Sequence, residues 1–204
     1  KSDGNIITHH LYGYYNNNGE HIGNKVRQTK DKRMWVEGEL SDAVLFGQNI
    51  FNQKARYITI CEGEIDAMSA YELMGSKWPA VSIKTGAAGA LRDCKEAFDY
   101  LDSYDNVVIS FDMDKQGQEA AEKVAQLFSP NKCKIMNMEH KDANEYLKMN
   151  QRESFTQAWW NAKPYTPAGI INLKDLGQTL YEEDYCETCL YPWPKMNEKT
   201  YGMR

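Results

Sequence analysis

No stretch of this 204-residue chain approaches the run of about 20 apolar residues that a membrane-spanning helix needs, and no signal-peptide pattern is visible. A membrane role is therefore not expected. Cysteine is scarce: Cys61, Cys94, Cys133, Cys186 and Cys189 are odd in number and scattered, which rules out reading them as a disulfide framework. A reducing, intracellular setting follows. Only Cys186 and Cys189 stand close together, with no second pair, and His9, His10, His21 and His140 show no metal spacing, so no zinc is expected. A surplus of positive charge is missing too, with 24 Lys and Arg against 29 Asp and Glu and a formal net charge of -5. The chain is thus not coated in positive potential, yet a local basic patch beside an acidic metal site remains compatible with nucleic acid. No P-loop lysine pattern occurs either.

What is present suits one medium domain with an appendage, or two small ones, and 42% hydrophobic residues allow a real core. The organising stretch is Asn106 to Gly117. Val107, Val108 and Ile109 form a short β-branched run without polar alternation, as in a strand buried on both faces of a parallel sheet. It ends in Asp112 and Asp114, which period 2 points to the same side of an extended chain. Two such carboxylates raise each other's pKa unless a cation lies between them, and oxygen donors suit Mg²⁺ or Mn²⁺. A polar strand-to-helix turn with Asp114 as N-cap fits the same residues.

Upstream, Asn16-Asn17-Asn18-Gly19 signals a hairpin within Asn5 to Gln28. Lys25, Arg27, Lys30, Lys32 and Arg33 then gather against the single acid Asp31, as either a solvated loop or a phosphate-contacting ridge. From Arg56 strands and helices alternate: a strand at Tyr57 to Cys61, a helix at Glu64 to Met74, a strand at Ala80 to Ile83, and the turn Gly86-Ala87-Ala88-Gly89. A helix over Asp93 to Leu101, the Asn106 strand and its helix, a strand at Cys133 to Met138 and a helix through Phe155, Ala158, Trp159 and Ala162 complete the series. The pattern predicts an α/β fold with an open, mainly parallel sheet flanked by helices, whose ligand lies beyond the carboxyl ends of the strands. Glu62 and Glu64, Asp112 and Asp114, and Asp142 all follow strands and should meet at that rim.

The spacing Glu62-Gly63-Glu64-Ile65-Asp66, then Asp112-x-Asp114 followed by Gly117, resembles the Toprim domain. Lys141-Asp142-Ala143-Asn144-Glu145-Tyr146-Leu147 is similar to a third motif of phage bifunctional primase-helicases and the related Twinkle family. Gly4-Asn5-Ile6, Lys25-Val26-Arg27 and Leu45-Phe46-Gly47 resemble the lobe that precedes Toprim there, and Met196 to Arg204 resembles the opening of the helicase domain. The resemblance implies a fragment of a larger protein, with a small N-terminal α+β basic lobe (1–54), a Toprim catalytic domain (55–165), a C-terminal linker helix (166–190) and the start of a truncated helicase domain (191–204).

That resemblance implies a DNA primase that joins ribonucleoside triphosphates on a single-stranded DNA template and releases pyrophosphate. Two Mg²⁺ or Mn²⁺ ions would be held by Asp112 and Asp114, with Asp142 as a further or water-mediated ligand and Glu62 as ligand or general base. Glu64 reads either as part of this set or as a first-turn helix acid, and Asp66 as a solvated helix residue. Lys25, Arg27, Lys30, Lys32 and Arg33 would hold triphosphate and template backbone, with Lys84 and Arg92 as further candidates beside the glycine turn. Tyr12, Tyr14 and Tyr15 suit either base stacking or packing. The partners implied are nucleoside triphosphates, template, the helicase domain and neighbouring ring subunits, in the cytoplasm of an infected bacterial host if the chain is phage-encoded. A Toprim nuclease and a non-catalytic single-strand-binding, ring-stabilising module are the competing readings.

Overall fold

The computed structural model describes residues 1–4, 6–51, 55–166 and 190–200. Contacts divide the chain into Lys1–Pro167 and Ala168–Arg204. The expected linker helix and the Cys186, Cys189 pair lie outside the described residues. In the second unit a short helix, Pro194–Thr200, is described, and the Asn197 side chain closes the turn before it by bonding both backbone groups of Tyr191.

The first unit is built on a five-stranded sheet. Its strands are β6 (Tyr57–Cys61), β7 (Ala80–Ser82), β8 (Asn106–Ser110), β9 (Cys133–Ile135) and β10 (Lys163–Pro164), in the order β10-β9-β8-β6-β7. β6, β7, β8 and β9 run parallel, and β10 closes one edge antiparallel. Both faces are covered. Period 2 sends Ile58, Ile60, Val107 and Ile109 into one apolar cluster, and Tyr57, Cys61 and Val108 into another on the opposite face. The first cluster is covered by α2 (Ala90–Glu96), α3 (Phe98–Asp102) and α4 (Lys115–Ala125). The second lies under α1 (Glu64–Leu73), α5 (Ala143–Lys148) and α6 (Arg152–Trp160), where the buried Trp159 donates its indole N–H to Thr59 Oγ1 at 3.0 Å.

Two elements differ from expectation. The helix expected over Asp93 to Leu101 begins earlier and breaks at Ala97, giving α2 and α3. Asp93 turns inward instead of opening a helix: its carboxylate accepts from the Lys84 and Thr85 amides and the Thr85 hydroxyl, while Phe98 stacks on Phe128. The last parallel strand stops at Ile135, because Met136 and Met138 turn into the core below the rim, with Met138 Sδ accepting from Ser110.

The N-terminal lobe adds β1 (Ser2–Asp3), β2 (Ile6–Ile7) and an antiparallel sheet of β3 (His9–Tyr15), β4 (His21–Gln28) and β5 (Met34–Gly38). It carries no helix among the described residues, so the α part of the expected α+β lobe is corrected to strands and turns; Ser41 to Phe51 folds as turns around Leu45. The hairpin forms where Asn-Gly predicts it. Asn16 Oδ1 accepts from the amides of Asn18 and Glu20, and Gly19 adopts φ +80°, a conformation that favours glycine. Tyr12 and Tyr14 are buried with Ala43 against Phe46 and Ile65, which seats the lobe on α1. Packing, not base stacking, accounts for those two rings. A two-way backbone bridge between Phe46 and Ser82 ties the connector to the outer edge of β7.

Candidate functional site

Three strand ends deliver acids to one rim, and each is followed by a helix whose N-terminus faces it. After β6 come Glu62 and the N-cap Gly63 of α1. After β8 come Asp112 and Asp114; Asp114 caps α4 by accepting from the Gly117 amide at 2.9 Å. Gly117 is required there, since a Cβ would collide with the Asp112 backbone carbonyl. After β9, Asp142 caps α5 by accepting from the Glu145 amide at 2.9 Å. Both the cap and the rim-acid readings of Asp114 are thus physically compatible, because a cap occupies a single carboxylate oxygen.

The acids act on one another. Burial raises the pKa of Glu62, and Asp112 and Asp114 add to the effect, while the amides of Ala87 and Asp112 oppose it. Glu62 Oε1 accepts from the Ala87 amide at 3.2 Å, and Oε2 is buried without a hydrogen-bond partner among the described residues. The glycine turn therefore aims this amide at a carboxylate. Burial also raises Asp112, while Lys141, 3.0 Å from Asp112 Oδ2, pulls it down.

Asp66 is a correction. Expected as solvated, it lies where the first turns of α1 and α5 meet and accepts from the Asn144 amide at 3.3 Å. Burial, then Asp142, Asp112 and Glu62, push its carboxyl up to about 7. The helical period alone places Asp66 one turn after Glu62, which was the available signal; what sequence did not contain was that α5 would cover that face.

Glu64 lines the same cleft from the first turn of α1, but its carboxylate is already engaged. It is buried and accepts from the Tyr14 hydroxyl and the Lys25 ammonium, both at 2.6 Å, with Lys25 also over the Tyr14 ring at 5.5 Å. It is a first-turn acid of α1, as one expected reading had it, and its hydrogen bonds also join the lobe to that helix. Lys25 and Arg27 line a cleft of about 590 Å³ together with Glu62, Asp66 and Asp112. A cleft of that size suits a nucleotide-sized ligand. Lys32 and Arg27 border a neighbouring cleft of about 660 Å³ that runs past Met68 and Lys148. Lys30 is exposed, and Arg33 pairs with Asp31 at 3.2 Å; neither lines the acidic cleft. The Lys84 ammonium is held by the Ala43 carbonyl and Glu96, both at 2.7 Å, and Arg92 lies 3.3 Å from Asp93. Lys84 also lines the acidic cleft, so its ammonium sits both at the lobe junction and beside the site, while Arg92 lies on α2.

Among the described residues, no three His, Cys, Asp or Glu side chains already converge as a metal cage. The donor set nonetheless fits Mg²⁺, which keeps several waters and takes one or two carboxylates, and the partnerless Glu62 Oε2 is an oxygen available to it.

Residues 59–147 match a family model described as Toprim-like. Over 195 residues, 94% of this chain, the sequence is 32% identical to a DNA helicase/primase of Enterobacteria phage T3, and it spans 34% of that protein's length. The primase fragment of the bacteriophage T7 primase-helicase is similar in structure with a TM-score of 0.67 and 33% identity, covering 76% of this chain and 64% of that one. A chain from a bacteriophage T7 assembly, described as lagging-strand DNA polymerase interacting with primase domains bound to an RNA/DNA hybrid and dTTP, gives 0.70 and 34%, covering 77% and 79%. The Aquifex aeolicus primase, at 0.59 and 14% over 80% of this chain and 42% of that one, shares the fold.

Proposed function

This chain belongs to the Toprim-containing primase family of phage-type primase-helicases, and from that premise we propose that it synthesises primers, joining ribonucleoside triphosphates on a single-stranded DNA template with release of pyrophosphate. The observation that carries the reading is the cleft in which Glu62, Asp66 and Asp112 face Lys25 and Arg27 of the lobe. Acids on one wall and cations on the other suit a triphosphate whose reacting end needs a divalent cation and whose remaining charge needs a partner.

In this reading Asp112 and Asp114 are the principal ligands of Mg²⁺ or Mn²⁺, which when bound lowers the pKa of the attacking hydroxyl and offsets charge on the leaving oxygens. Asp142, with one oxygen used by α5, offers the other to the same rim. Glu62 contributes Oε2 as ligand or as acceptor of the hydroxyl proton; its raised pKa suits the second task. Lys25 is pre-positioned by Glu64, so the lobe presents a cation without having to order a flexible side chain. Arg27 stands where the two clefts meet and is suited to guide phosphates from one to the other. Lys30, Lys32 and Arg33 would meet template backbone further out. Single-stranded DNA, the helicase domain and neighbouring ring subunits are the proposed partners.

The test supplies Mn²⁺, ribonucleoside triphosphates, single-stranded DNA and an excess of a labelled diribonucleotide complementary to it. Extension is expected, and Asp112→Ala with Asp114→Ala should abolish it. Undiminished extension by the double variant refutes the site; cutting of the DNA without extension replaces primase with nuclease.

A further inference from the structure

We propose that Lys141 is a built-in counter-cation of the acidic rim, one that competes with a divalent ion for Asp112 and so sets how tightly the rim binds metal. The inference rests on the metal reading given above, but it concerns a residue to which that reading assigns no role.

The rim's acids are Glu62, Asp112, Asp114 and Asp142 from three strand ends and Asp66 from the first turn of α1, and among the described residues the one ion pair made to any of them is Lys141 Nζ to Asp112 Oδ2 at 3.0 Å. Of the nearby cations, Lys25 pairs with Glu64, Lys84 with Glu96, and Lys115 lies within 3.8 Å of Glu119; Arg27 lines the cleft but makes no ion pair to a rim acid among the described residues.

The backbone of Lys141 is fixed while its side chain is not. The Met113 amide donates to the Lys141 carbonyl at 2.9 Å, joining the loop after β8 to the loop before α5. The Lys141 amide donates to Glu145 Oε2 at 3.0 Å, and the next residue caps the helix. Beyond Cα the side chain is 55% exposed, against 17% for Asp112, so it can leave its partner without disturbing packing. A lysine ammonium is charged across the neutral range.

An ammonium and a divalent cation on one carboxylate repel each other, and binding of either weakens the other by the same factor. Metal binding therefore expels Lys141 from Asp112, and the freed ammonium, still tethered beside the cleft, is placed to meet an incoming phosphate.

The experiment measures Mn²⁺ affinity of the whole chain, by electron paramagnetic resonance of free Mn²⁺, for wild type, Lys141→Met, Lys141→Arg and Asp112→Ala. Removing the competitor should tighten binding on the order of tenfold, with the arginine variant near wild type. Thermal melting supplies a second readout: Lys141→Met should melt lower than wild type without metal and gain more from Mn²⁺. Lys141→Gln provides the same comparison should the methionine variant fail to fold. Saturable wild-type binding that neither Lys141→Met nor Lys141→Gln tightens overturns the inference alone. No saturable binding by wild type, or binding that Asp112→Ala leaves intact, overturns the metal reading and the inference with it.

Discussion

Replacing Asp66 by Asn tests whether the rim's acids crowd one another at the cost of stability. A carboxyl moved from its ordinary 3.8 to about 7 binds more protons folded than unfolded between those values, so its effect is to lower stability as pH rises through that window. The full displacement corresponds to about 4 kcal/mol. Asp66 keeps some contact with water and the neighbouring charges are screened in part, so about 1–3 kcal/mol is the expected size. Asparagine keeps an oxygen for the Asn144 amide and removes the charge. Urea unfolding in chelator, from about pH 4.5 to about pH 8, should show the Asn variant's advantage growing with pH, because the acidic end already lies above the unfolded carboxyl's 3.8 and the full size is reached only at the alkaline end. A gap that does not change with pH, or an Asn variant less stable at about pH 8, refutes the argument that charge repulsion at this rim opposes folding.

Other substitutions separate roles that proximity alone would merge. Glu64→Ala leaves the Lys25 ammonium and Tyr14 hydroxyl without their shared partner and should cost about 3 kcal/mol in urea unfolding; a loss under about 0.5 kcal/mol would remove its tethering role. At Asp142, Asn should hold the α5 cap within a few tenths of a kcal/mol while Ala loses about 1 kcal/mol. Primer extension should nonetheless fall for both, and full extension by Asp142→Asn would take that carboxylate out of the rim. Lys84→Met should destabilise by about 1–2 kcal/mol, since it leaves the Ala43 carbonyl unpaired. Its KM for nucleoside triphosphate should stay at the wild-type value; a clear rise would return Lys84 to the nucleotide-binding set.

Much of this architecture is written locally in the chain. Val107 to Ile109 and Tyr57 to Cys61 are too uniformly apolar for a half-exposed sheet, and both are buried throughout. Parallel strands must share a carboxyl-end rim, so acids following them are gathered once the sheet is known to be parallel. Glu62, Asp112, Asp114 and Asp142 needed no more than that. What sequence did not carry was pairing between elements distant along the chain. Lys25 reads as a free cation until Glu64 lies 2.6 Å away, and Lys84 reads as a neighbour of the glycine turn until Ala43 and Glu96 close on its ammonium. Asp66 reads as helix surface until α5 covers it. The break at Ala97 is equally tertiary, for i, i+3, i+4 spacing continues smoothly across it.

The margins of the central sheet carry a consequence for how such a chain tolerates crowding. On one side the position whose amide would face outward is Pro164, which has none; on the other, Phe46 already occupies both backbone groups of Ser82. Among the described residues, these two positions blunt the ladder that templates self-association. Copies held close together therefore find little template for amyloid-like stacking at the central sheet, even though its inner strands β6 and β8 are rich in the residues that form it.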